Sequence, residues 1–184
     1  MIFINVYVII TKVIRFDVPD VEGRKDMRII VYADTHGDFS AHAEIIERNE
    51  DAYAFIFLGD GETELDKIKV LYPEKKIVNV AGNCDYSSLA PTTDILIAKG
   101  VKILYTHGHS FGVKYSVDRL YYKAKEIDAK IALFGHTHCR FYSYEDGIHI
   151  LNPGSASCPR DGNRKGYAFI DITDKGIMCS HVNL

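Results

Sequence analysis

The sequence predicts an α/β protein in which two β-sheets pack together and helices flank them. Three observations carry this expectation. Apolar β-branched runs alternate with amphipathic stretches through the first half of the chain. The second half is strand-rich and holds two tight-turn dipeptides, Lys99-Gly100 and Asp146-Gly147. Finally, 184 residues at 47% hydrophobic and 26% charged have the composition of an ordinary globular domain, long enough to bury a sizeable core.

Residues 1–26 stand apart from this pattern. "MIFINVYVII" is apolar but only ten residues long, too short to span a bilayer. It lacks the basic start and the small-residue cleavage site of a signal peptide. "DVPDVEGRKD" reads as a linker through its Pro, Gly and charges. The expectation is an N-terminal extension over 1–26, as an added strand or a loose arm, or an upstream start codon. A single domain would then cover 27–184.

From Met27 the elements follow in order. "MRIIVYAD" stops at a polar cluster, as a buried strand does. "SAHAEIIERNE" reads as a helix with Ser40 as its N-cap and Ile45 and Ile46 on its apolar face. "AFIFLGD" is a second buried strand, "ELDKIKVLY" a short helix stopped by Pro73, and "KIVNVAGN" a third strand. Strand, helix, strand, helix, strand argues for parallel strands joined by crossover helices. "TDILIA" and "VKILYTHGH" form a strand pair around Lys99-Gly100. "SVDRLYYKAKEID" is an amphipathic helix, "AKIALFGHTH" a buried strand, and "RFYSYEDGIHIL" a hairpin through Asp146-Gly147. "GYAFIDITDKGIMCSHV" closes the chain as a further strand pair.

Polar residues recur at one place, the carboxyl end of a strand. Asp34 and His36 follow the first strand, Asp60 the second and Asn83 the third. His107 and His109 follow "VKILYT", and His136 and His138 follow "IALF". Such strand ends form the ligand crevice of α/β sheets, so five distant segments are expected to converge. Five of the eight histidines fall in these turns. Asp, His and Asn together offer hard oxygen and borderline nitrogen donors, suited to Mn²⁺, Fe²⁺, Ni²⁺, Zn²⁺ or Mg²⁺. With only one of His107 and His109 counted, seven donors exceed the four of a structural zinc but suit two ions ~3.5–4 Å apart that share a carboxylate.

Several classes are disfavoured. A formal charge of −3 provides no basic field for nucleic acid. Cys84, Cys139, Cys158 and Cys179 form no C-x-x-C pair, which reads as reduced thiols in the cytoplasm rather than a disulfide framework or a four-cysteine zinc site. The H-x-H-x-D-H of a metallo-β-lactamase fails because Cys139, Arg140 and Phe141 follow His138. The H-x-E and P-C-x-x-C of a zinc deaminase are absent.

The ordered set "DTH" 34–36, "GD" 59–60, "GN" 82–83, "THGH" 106–109 and "GHTH" 135–138 resembles the calcineurin-like metallophosphoesterase superfamily. The likeness runs from about Met27 to the end. The short length, "GNCD" and "NPGSASCPR" resemble its small YfcE-type phosphodiesterase branch. The resemblance implies a four-layer sandwich of two mixed β-sheets flanked by helices. It also implies two divalent metal ions, with Mn²⁺ preferred, and hydrolysis of small phosphodiesters by in-line attack of a metal-bridging hydroxide.

Carried across residue by residue, one ion would bind Asp34, His36, Asp60 and His138. The other would bind Asp60, Asn83, His107 and His136, with Asp60 bridging. His107 is chosen over His109 because it lies nearer the strand end. His109 is then the catalytic candidate, as a donor to phosphate or to the leaving group, with Asn83 and Arg160 as further substrate contacts. Cys84 and Asp85 are expected to stand behind the ligands. Many family members carry His where this chain has Cys84, and a thiol is a poorer acid than an imidazolium.

Ser155 has no G-x-S-x-G elbow and reads as a turn residue. Asp38, Glu62, His42 and His149 read as surface or packing residues. No membrane contact is expected, and a homo-oligomer stays open. The rival class is a scaffold that binds protein partners, as the small subunit of the retromer coat does on this same branch.

Overall fold

The computed structural model describes residues 14–15 and 26–184. Most of the expected N-terminal extension therefore lies outside the described residues. Its short strand β1 (Ile14–Arg15) pairs in parallel with the edge of a sheet.

The elements then run β2 (Met27–Tyr32), α1 (Phe39–Arg48), β3 (Ala54–Phe57), α2 (Glu62–Leu71), β4 (Ile77–Asn79), β5 (Thr93–Ala98) and β6 (Val101–Thr106). A 3-10 turn (His109–Phe111) and α3 (Asp118–Glu126) follow, then β7 (Ile131–Leu133), β8 (Arg140–Glu145), β9 (Ile148–Pro153), β10 (Gly166–Thr173) and β11 (Gly176–Asn183). One sheet has the order β11-β10-β2-β3-β4 and the other β1-β5-β6-β7-β9-β8. Both are mixed: β2, β3 and β4 run parallel in the first, and β6, β7 and β9 in the second.

Strand periodicity explains why the sheets stack. Successive side chains of a strand point to opposite faces, so a continuous apolar run supplies two cores. In β2, Ile29 and Val31 enter the core between the sheets, whereas Ile30 and Tyr32 pack under α1 and α2. Ile56 and Leu58 alternate with Phe55 and Phe57 in the same way. In the second sheet Ile103, Tyr105, Ile131 and Leu133 meet the first sheet. Leu104, Ala132 and Phe134 face the opposite way, against Leu120 and Ala124 of α3. The layers are thus helix, sheet, sheet, helix, the four-layer sandwich expected.

One local expectation needs correction. Ser40 is not the N-cap of α1; Asp38 is, accepting from the Ala41 N–H at 3.1 Å. Ser40 lies inside the helix and its hydroxyl donates to Asp38 at 2.6 Å. Two acceptable caps stand two residues apart, and the turn from His36 and Gly37 selects the earlier one. The Asp146-Gly147 turn has positive φ at both residues (49° and 79°), as a two-residue hairpin requires. No helix among the described residues is long and apolar enough to cross a membrane.

Candidate metal centre

The parallel strands of both sheets end at one edge, and their loops meet there. The first sheet contributes Asp34 and His36 after β2, Asp60 after β3 and Asn83 after β4. The second contributes His107 after β6, and His136 and His138 after β7. Backbone hydrogen bonds lock the loops to one another: Asp34 N–H to Gly59 O (3.0 Å), His36 N–H to Asp60 O (2.9 Å) and Gly135 N–H to His107 O (3.0 Å). Asp34 joins the two sheets, because its Oδ2 accepts the His136 N–H at 3.0 Å.

Five of these residues adopt a conformation that L-residues avoid. Asp34, His36, Asp60, His136 and His138 have φ between 43° and 68°. Such strain costs roughly 1–3 kcal/mol per residue and concentrates at functional sites. It turns the side chains back over the strand ends. Gly82 shows how tight the result is, since a Cβ there would overlap Asp60 Oδ1.

All seven expected ligand residues are brought together. His36 Nε2 lies 3.0 Å from His138 Nε2, which lies 3.5 Å from Asp34 Oδ1. His107 Nε2 lies 3.1 Å from Asn83 Oδ1 and 3.2 Å from His136 Nδ1. Asp60 sits between the groups, its Oδ2 being 3.5 Å from His107 Nε2 and 3.8 Å from His36 Nε2. Asp34, His107, Asp60 and His138 are buried, whereas Asn83 and His36 are open to solvent.

These residues fit a bound cation on three grounds. Asp34 Oδ1 is buried with no hydrogen-bond partner. Next, His107 Nδ1 donates to Leu58 O at 2.7 Å and His138 Nδ1 to Cys158 O at 2.8 Å. Carbonyl acceptors fix the tautomer and leave each Nε2 lone pair aimed inward, as ligand histidines require.

Electrostatics agree as well. Burial, then the charge of Asp60, pushes the Asp34 carboxyl well above the usual carboxylate range. Burial lowers His107 and His138, and lowers His136 to about 4, so the imidazoles are neutral donors. Neutral lone pairs facing two crowded carboxylates need positive charge between them.

The supporting residues behave differently from one another. Asp85 accepts four backbone N–H groups, from Asp60 (2.8 Å), Gly61 (2.9 Å), Glu62 (3.0 Å) and Gly82 (2.8 Å). Burial pulls its pKa up, but those donors outweigh it and hold the carboxyl low. The Cys84 N–H donates to Asp60 Oδ1 at 2.8 Å, and its exposed thiol is raised by burial and by Asp60.

His109 lies on the 3-10 turn beside the cluster, 5.4 Å from the His107 ring centroid and 6.1 Å from that of His136. Its Nδ1 is buried and unpartnered. Arg160 is exposed, with its N–H on His138 O, and its charge acts on both Asp34 and His138. Ser155 is a buried turn residue whose hydroxyl donates to Asp34 O at 2.7 Å. Glu62 accepts from Asn79 Nδ2 at 3.0 Å, while Asp38 caps α1 and pairs with Lys165 at 2.8 Å.

Two contacts were not read from the sequence. His42, expected as a surface or packing residue, is fully buried and lies 2.8 Å from Thr35 Oγ1 and 3.2 Å from Tyr32 OH, and Thr35 in turn contacts Asp60 O. A polar residue on the apolar face of α1 was the only signal available. Lys114 also acts electrostatically on His136, lowering it, from a loop with no motif.

A model of the calcineurin-like phosphoesterase superfamily domain matches residues 27–175. The chain belongs to that superfamily. It is 30% identical over 146 residues to the probable metallophosphoesterase YsnB of Bacillus subtilis, covering 79% of this chain and 85% of that one. Phosphodiesterase YfcE of Escherichia coli is 27% identical over 169 residues, covering 79% and 88%. Vacuolar protein sorting-associated protein 29 of Schizosaccharomyces pombe is 44% identical over 79 residues, 42% of each chain. A crystal structure from Streptococcus pneumoniae TIGR4, described as a predicted phosphoesterase, superposes with a TM-score of 0.76 at 32% identity, covering 86% and 90%.

Proposed function

We propose that the chain is a metal-dependent phosphodiesterase with a dinuclear centre. The observation that carries this reading is Asp60, whose single carboxylate faces imidazoles of both groups at 3.5 and 3.8 Å. Asp34, His36, Asp60 and His138 would hold one divalent ion, and Asp60, Asn83, His107 and His136 the other. Two such ions, when bound, supply an acidified water as nucleophile and neutralise charge on the phosphate oxygens.

The chain's own residues do the remainder. His109, held outside the ligand set with a free buried nitrogen, donates a hydrogen bond to phosphate or a proton to the leaving oxygen. Arg160 offers a guanidinium to the non-bridging oxygens from the rim. Asp85 and the strained turns keep the carboxylates from relaxing apart. With Cys84 where many relatives have an imidazole, alkyl leaving groups turn over slowly and aryl esters faster. We infer Mn²⁺ as the preferred metal, a small phosphodiester as substrate and the cytoplasm as the setting.

A second reading has its own support. Likeness to a vacuolar sorting protein, together with exposed Tyr86 and Leu89 in the loop that follows Asn83, favours a scaffold that meets a protein partner. The two readings separate on one assay. With Mn²⁺ the chain should hydrolyse an aryl phosphodiester, and Asp60→Asn should lower the rate by about 100-fold or more. A Mn²⁺-loaded preparation inert towards aryl and alkyl diesters supports the scaffold.

A further inference from the structure

We propose that Cys84 is a conditional ligand: its sulfur closes the ion site at His36 and Asp60 around thiophilic cations such as Zn²⁺, Co²⁺ or Cd²⁺, and leaves it open around Mn²⁺ or Mg²⁺. This rests on the metal-centre reading above and adds a donor beyond the seven expected ligand residues.

The argument is geometric. One ligand atom each from His36, Asp60 and Cys84 lie within 4.8 Å of one another. Metal–donor bonds of ~2.0–2.3 Å place neighbouring donors roughly 3–3.7 Å apart, so a small side-chain movement brings the sulfur in as a fifth donor beside Asp34, His36, Asp60 and His138. The backbone is already fixed for this, because the Cys84 N–H holds Asp60 Oδ1 at 2.8 Å and leaves Oδ2 facing the imidazoles.

The sulfur has a donor waiting. Asn83 directs its Oδ1 to His107 at 3.1 Å and its Nδ2 to Cys84 Sγ at 3.2 Å. One amide thus places an oxygen towards one imidazole group and an N–H on the sulfur, which suits a thiolate acceptor. The unpartnered buried Asp34 Oδ1 belongs to the adjoining Asp34, His36 and His138 set, which shares His36 with this one.

Softness then sorts the ions. Thiolate binds zinc-like cations strongly and Mn²⁺ or Mg²⁺ weakly. On coordination the thiol proton passes to solvent, the sulfur lone pair forms the metal bond, and nothing is oxidised. Added to Asp34, His36, Asp60 and His138, the sulfur occupies the position that water or phosphate would take on a five-coordinate ion. Cys84 therefore makes the centre silent with thiophilic ions and active with hard ones.

The test titrates the full-length metal-free protein with Cd²⁺ and separately with Mn²⁺. Bound metal is counted by dialysis, and sulfur-to-cadmium charge transfer is read in the ultraviolet. The band should develop with the first equivalents of Cd²⁺ and persist in Cys158→Ser, which removes the other exposed thiol. It should vanish in Cys84→Ser, with Cd²⁺ affinity falling by about tenfold or more and Mn²⁺ affinity unchanged within about threefold. Two Cd²⁺ bound without a band, or a band surviving in Cys84→Ser, overturns the proposal while leaving the dinuclear centre intact. Failure to bind any divalent ion overturns both.

Discussion

Asp85 gathers the N–H groups of Asp60, Gly61, Glu62 and Gly82 onto one carboxylate, so it ties the turn after β3 to the turn after β4. Both turns carry expected ligands, and Asp60, the proposed bridge, hangs between them. Asp85→Ala leaves four donors without their acceptor. It should lower stability by at least about 2 kcal/mol and weaken metal binding, read by denaturant unfolding and Mn²⁺ titration. Unchanged stability would contradict the role. At the neighbouring position, Cys84→His supplies an imidazole where many relatives carry one. Turnover of alkyl phosphodiesters should rise with little effect on activated aryl esters, and equal rates for both proteins count against the leaving-group argument. The clustering of the expected ligand residues was legible because metal chemistry admits few side-chain types and each stands beside a strand end. The reach of Asp85 was not legible, because its partners lie 3 to 25 residues away.

Helix α1 links the local code to the centre. Its cap is Asp38, so Asp38→Ala should cost about 1 kcal/mol, whereas Ser40→Ala should cost only a few tenths. Paired thermal melts distinguish the two, and the reverse order would restore Ser40 as the cap. The same helix carries His42 into the core, where burial lowers its pKa from 6.5 to about 4. A depressed histidine is neutral in the fold and protonates first in the unfolded chain. Its contribution is therefore full above pH 6.5 and is lost progressively as pH falls from 6.5 towards 4, by roughly 3 kcal/mol in all. Metal-free His42→Gln should show a shallower fall in Tm over that window than metal-free wild type; parallel slopes would sink the assignment. Strands β2, β3, β6 and β7 could be read because apolar runs end at glycine and charge. Strand β1 falls in the extension for which an added strand is one of the alternatives, and its position could not be read because a two-residue ladder has no periodicity to detect.

Across the whole molecule, the two sheets must stack before the centre exists. Asp34, His36, Asp60 and Asn83 come from one sheet, and His107, His136 and His138 from the other. The core between them, from Ile29 and Val31 to Ile131 and Leu133, sets the distance across which Asp60 faces His107. Sheet order could not be read from pattern alone, because the pairing of β10 with β2 joins residues about 140 apart. Removal of metal should leave Asp34 buried beside Asp60 with no cation to offset its burial. At 100 times its Kd, a divalent ion should add about 2.7 kcal/mol, a rise in Tm of roughly 5–10 °C, and a chelator should reverse it.

Everything in this account depends on one carboxylate being shared by two cations at the seam of the sheets. Mn²⁺ titration followed by electron paramagnetic resonance tests it most directly. Two ions per chain with the signature of a spin-coupled pair, reduced to uncoupled binding in Asp60→Asn, is the result expected. A single ion per chain, or two ions whose spectrum is the same with and without the Asp60 carboxylate, would contradict it.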